Sequence, residues 1–81
     1  MESIFGGANM IKSNVAKDNT ECNICIENQS NSIEKNLVTG SEQGILFVQD
    51  SNFYANNRAF DNINDFYNAA GQTNGGGNAS F

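Results

Sequence analysis

The octets that begin at Asn9, Asn31 and Asn52 share one pattern: Asn, a spacer, an apolar residue, two spacers, Asn, a spacer, and an apolar residue. The first two octets lie 22 residues apart and the last two 21. A further match, Asn23 to Ile26 against Gly44 to Phe47, runs at an offset of 21. The one-residue difference therefore falls between Asp18 and Asn23, opposite Gly40 to Gly44, where a loop can absorb it. A repeat this short constrains architecture more than any local propensity does. A unit of about 21 residues is too short for a strand–helix–strand crossover. It also lacks the leucine spacing of a leucine-rich repeat. It has the length for three short strands and three turns, one coil of a parallel β-solenoid.

Apolar residues inside each unit alternate, as in Ile24 and Ile26 or Ile45 and Phe47. That is the period of a strand and not of a helix. Bursts of three to five β-formers are separated by Asn, Gly, Ser and Asp, which are turn residues. Asn supplies 15 of the 81 residues. Its amide competes with the backbone inside helices but tolerates tight corners, so a folded chain of this composition has many corners. Residues 1–68 read as coils, with Ile4 and Phe5 closing an incomplete first one, 21 residues before Cys25 and Ile26. Residues 69–81, rich in Gly and Asn with little to bury, read as a flexible tail.

With these residues in place, the chain resembles the right-handed parallel β-helix repeats of pectate-lyase-like, carbohydrate-binding and sugar-hydrolase proteins. Ile33, Asn36, Val38, Gly40, Gly44 to Phe47, and Ser51 with Asn52 carry the pattern. A second copy uses Ile11, Asn14, Ala16, Asn23 to Ile26, and Ser30 with Asn31; a third uses Tyr54, Asn57, Ala59 and Phe66. The resemblance covers residues 9–60. It implies an all-β, right-handed parallel β-helix of about three coils with 21–22 residues per coil. It is specific for fold and silent about reaction. Its relatives are often extracellular. For a chain of this kind we expect a non-catalytic module for carbohydrate binding or, through its open solenoid ends, for head-to-tail self-assembly. The alternative is a fragment of a polysaccharide lyase, hydrolase or epimerase whose catalytic coils lie outside this chain.

In such a fold neighbouring coils pair as strands about 4.8 Å apart, and equivalent residues stack. The expected inward columns are Ile11–Ile33–Tyr54, Ile24–Ile45–Phe66 and Phe5–Ile26–Phe47. Asn14, Asn36 and Asn57 form an expected ladder at one corner, where positive φ is tolerated by Asn and amides bond along the stack. No amphipathic cap is evident at either end, and open ends expose strand edges.

The net charge is −5, and Lys12, Lys17, Lys35 and Arg58 are dispersed. Without a basic face, nucleic acid and anionic membranes are poor partners. No apolar run approaches the ~18 residues of a membrane span, and residues 1–7 lack the features of a signal peptide. Histidine is absent, which removes Ser–His and Cys–His machinery. Cys22 and Cys25 give half of a four-ligand zinc site with no further Cys or His to complete it. Extended spacing opposes a disulfide between them, so free thiols are expected, with Cys25 pointing outward. Glu21 and Glu42 stack at an offset of 21, with Glu27 and Asp50 nearby in the coil, and could hold calcium or act as an acid/base pair. No other cofactor is implied. Phe53, Phe60 and Tyr67 are the candidate sugar-stacking aromatics.

Overall fold

Every coil turns three corners, and each corner is built on the same two-residue plan. The computed structural model describes residues 3–4, as backbone, and residues 7–81. The strands in chain order are β1 Ser3–Ile4, β2 Met10–Lys12, β3 Val15–Lys17, β4 Cys22–Ile26, β5 Ser32–Glu34 and β6 Leu37–Thr39. They continue with β7 Gln43–Phe47, β8 Phe53–Ala55, β9 Arg58–Phe60, β10 Asn64–Tyr67, β11 Thr73–Asn74 and β12 Ala79–Ser80. They assemble into three four-stranded sheets: β1-β4-β7-β10 (sheet A), β11-β8-β5-β2 (sheet B) and β12-β9-β6-β3 (sheet C). Every pairing is parallel. The chain visits A, B and C in turn, and so rises as an all-β parallel solenoid of about three coils.

The register stacks the repeats. Ile11, Ile33 and Tyr54 are partners in sheet B. Ala16, Val38 and Ala59 are partners in sheet C. Ile24, Ile45 and Phe66 are partners in sheet A, where Ile26 also meets Phe47. These residues point inward and form one core, with Phe66 partly buried against it. Full burial of an aliphatic or aromatic side chain of this size is worth about 1.5–3 kcal/mol. The bulkier members sit in the later coils: the Tyr54 ring lies 5.4 Å from Phe47 and 5.7 Å from Phe66, tilted against both. In sheet A, Ile4 rather than Phe5 is opposite Ile26, because the first coil is offset by 22 and not 21. Phe5 itself lies outside the described residues.

The corners correct one expectation. Positive φ does not fall on the ladder asparagines but on the residue before each. It falls on Ala8, Ser30 and Ser51 at the first corner and on Ser13, Lys35, Asn56 and Gly77 at the second. At the third it falls on Asp18, Gly40 and Asp61. The left-handed residue turns the chain and aims the next side chain inward, where an amide can bond to the coils above and below. The Asn14–Asn36–Asn57 ladder is present and continues to Asn78. Asn36 Nδ2 donates to Asn57 Oδ1 at 3.0 Å and to the Ile11 carbonyl at 2.9 Å. Its Oδ1 accepts from the backbone N–H and the Nδ2 of Asn14 at 2.9 and 3.1 Å. Both donors and both lone pairs of a buried amide are thereby used. Asn57 repeats the arrangement with Asn78 and the Ile33 carbonyl.

The first corner carries a matching column, Asn9–Asn31–Asn52–Gln72. The third carries Asn19, Ser41 and Asn62, joined by backbone N–H to side-chain oxygen bonds. Here the repeat shortens as anticipated: Lys17 pairs with Thr39 and Asn19 aligns with Ser41 at an offset of 22, and Cys22 pairs with Gln43 at 21. With Glu21 aligned on Glu42, the extra residue is Thr20.

Residues 69–81, expected as a flexible tail, continue the spiral. Ala69–Gly71 makes a single 3-10 turn. Thr73 and Asn74 then pair with Phe53 and Tyr54, and Ala79 and Ser80 with Arg58 and Ala59. The offset is 20 at β11 and 21 at β12, so Gly75 to Gly77 take up one extra residue. Gly76 and Gly77 have positive φ, which is what lets the chain turn there at low cost.

Candidate functional site

The candidate sugar-stacking aromatics do not share a surface. Phe53, Phe60 and Tyr67 are spaced by seven, a third of a 21-residue coil, so each falls on a different sheet: β8, β9 and β10. Phe60 stacks on Phe81 with centroids 5.3 Å apart and planes within 4°. The Arg58 guanidinium lies 5.9 Å from the Phe81 centroid, within cation–π reach. Tyr67 stands exposed on sheet A. Phe53 is half-buried, its ring lying across Ala55 and Gly75, where a Cβ on Gly75 would collide with it.

Glu21 and Glu42 do stack: the Gln43 N–H donates to the Glu21 carbonyl and the Asn64 N–H to the Glu42 carbonyl. Both side chains are exposed. The next position in the column is Ile63, and the length of β4 separates Glu21 from Glu27. Among the described residues no group of three or more acidic or cysteine side chains gathers to hold a metal.

The cysteines overturn their expectation. Cys22 and Cys25 are joined in a disulfide with Cα atoms 5.7 Å apart, inside the usual range. Asn23 and Ile24 are both fully buried, so strict alternation breaks within β4. That break brings residues three apart to the same side of the strand. Both cysteines are buried, at 5% and 9% exposure, yet Cys25 keeps the outward placing expected for it, since it stacks with Leu46 and Tyr67 and stands outside the core cluster.

A concave feature that the sequence did not flag runs along the first corner. It is a groove of about 400 Å³, and it crosses three coils. Ser30 and Ser51 line it at the turn, followed by Gly71 in the last coil; Ser32, Phe53 and Thr73 line it on the adjoining face of sheet B. The floor is rigid, because Asn31 and Asn52 are locked into the amide column beneath. No charged residue lines the groove. Among the described residues, no hydrogen bond engages the side-chain hydroxyls of Ser30, Ser32, Ser51 or Thr73, which leaves them available to a ligand. Asp50 lies at its edge against Gly71, where a Cβ would not fit. The signal for this groove was in the sequence as small or hydroxyl residues one coil apart beside the corner asparagines, but a run of Ser reads equally well as a solvated turn.

No helix among the described residues is long and apolar enough to cross a membrane. Compared with known proteins, the chain matches no family model, no curated protein and no solved structure. The expected β-helix repeat is thus present as a parallel β-solenoid of about three coils, and no comparison supports the narrower likeness to pectate-lyase-like repeats.

Proposed function

We propose that the chain is a non-catalytic β-solenoid module that binds an uncharged polysaccharide along the first-corner groove. One observation carries this reading: free hydroxyls and an aromatic ring line a rigid concave surface that repeats with the coil. The volume is within the ~300–1,000 Å³ of ordinary ligand sites. Hydroxyls that both donate and accept suit a sugar, and Phe53 gives an apolar wall for a sugar face. The lining has no cation to attract a uronate, and a chain of net charge −5 repels one. Calcium-bridged binding through Glu21 and Glu42 has weaker support, since their column holds no third carboxylate.

Titration of the protein against neutral and acidic polysaccharides, read by calorimetry, tests the proposal. Binding to a neutral glycan, weakened about tenfold by Phe53→Ala and unchanged by Tyr67→Ala, is the expected result. Absence of binding to any glycan, or equal effects of the two substitutions, contradicts it.

A further inference from the structure

The last coil changes the chemistry of the core. In sheet B the inward column runs Ile11, Ile33, Tyr54 and then Asn74. In sheet C it runs Ala16, Val38, Ala59 and then Ser80. In sheet A the column beside Ile24 runs Asn23, Gly44 and then Asp65, by their places between paired neighbours. Each sheet thus supplies one polar residue to the same level. These residues are bonded to one another or to the corners. Ser80 Oγ donates to Asp65 Oδ2, which joins sheets A and C. Asp65 Oδ1 accepts from Asn62 Nδ2 at 2.9 Å. Asn74 Oδ1 accepts from the Gly76 N–H at 2.8 Å and from Asn78 Nδ2 at 2.9 Å.

We infer that Asp65, Asn74 and Ser80 form a stop built into the fold, which prevents a second copy of the chain from stacking on the last coil. Another coil laid on this level would desolvate a carboxylate, an amide and a hydroxyl against apolar inward residues such as Ile11 and Ala16. Burying such groups without new partners is strongly unfavourable. The edge strands β10, β11 and β12 remain unpaired on that side and would otherwise invite parallel addition. The stop lets three short parallel sheets end in water without polymerising. Head-to-tail assembly, the other half of the expectation drawn from open ends, is blocked at this level.

Sedimentation velocity over a wide concentration range, on the full chain and on Asn74→Val/Ser80→Val, tests the inference. The variant is expected to self-associate at least about tenfold more tightly than the native chain. A folded variant that associates no more than the native chain overturns the inference. Should the variant fail to fold, hydrogen exchange of the native chain decides. Protection of β10 to β12 that stays independent of concentration supports the stop, and protection that rises with concentration overturns it.

Discussion

Asn23 Nδ2 donates to Asn62 Oδ1 at 3.1 Å, although 39 residues of chain separate the two. The bond skips a coil, because the residue stacked between them at that level is Gly44. A Cβ on Gly44 would meet the Asp65 carbonyl and lie 2.9 Å from Asn62 Nδ2. The glycine makes the vacancy through which two coils share one amide contact. Asn23 Nδ2 also donates to the Thr39 carbonyl at 2.9 Å, so the buried amide has both of its protons satisfied.

Gly44→Ala is therefore expected to destabilise the fold by about 1–3 kcal/mol, as overpacking of a filled interior does. The φ at this position is not in the left-handed region, so the cost is steric and not conformational. Urea unfolding followed by circular dichroism measures it. A neutral result would mean that the third corner relaxes freely.

The ladders give a graded prediction. Asn36→Ala takes the side-chain donor from the buried Ile11 carbonyl, leaves Asn57 Oδ1 with only the backbone N–H of residue 36 from that coil, and strips two Asn14 donors of their shared acceptor. Each unsatisfied buried group costs about 1–3 kcal/mol, so the loss is expected to exceed that of any single solvent-facing contact. Asn14→Ala, in a half-exposed first rung, is expected to cost less. The order of the two unfolding midpoints checks this. Asn36→Asp is also expected to destabilise at neutral pH, since a carboxylate cannot donate to the Ile11 carbonyl or to Asn57 Oδ1.

Reduction of the Cys22–Cys25 bridge is expected to leave the fold in place. The loop it closes spans only three steps of sequence, for which the chain-entropy model gives about 2 kcal/mol. Surrounding residues of β4 keep their ladder bonds to β7 in either redox state. Thermal unfolding with and without a reductant reads the difference. A fold lost outright on reduction would make the bridge a main support, contrary to this expectation.

The columns Ile11–Ile33–Tyr54 and Ile24–Ile45–Phe66 and the Asn14–Asn36–Asn57 ladder were legible because a period of 21 or 22 fixes which residues stack, whatever the local dihedrals. Three features were not. The left-handed residue before each corner Asn is Ser, Lys, Asp, Asn, Ala or Gly, so no single residue type marks it. Only its constant place before Asn does, together with the five-residue step from Asn9 to Asn14 to Asn19. The last coil was hidden because its offset drops to 20 at Asn74 and returns to 21 at Ser80, and because its inward residues are polar. The disulfide was hidden because alternation fails at Asn23 and Ile24, an inward amide that only the missing side chain of Gly44 accommodates. For the site, Phe53 was legible as an aromatic beside a corner. The groove around it needed the third dimension, since Ser30, Ser51 and Gly71 meet only once the coils are stacked.

The solenoid is held by amides bonding from one coil to the next, and scalar coupling across a hydrogen bond observes that directly. In an isotope-labelled sample, magnetisation should pass from the Asn36 backbone nitrogen to the side-chain carbonyl carbon of Asn57, which the structure places in a 3.0 Å hydrogen bond. A cross-peak between these two atoms, with slow exchange of the Asn36 amide, is the result the stacked solenoid predicts. A rapidly exchanging Asn36 amide with no coupling to Asn57 would contradict it.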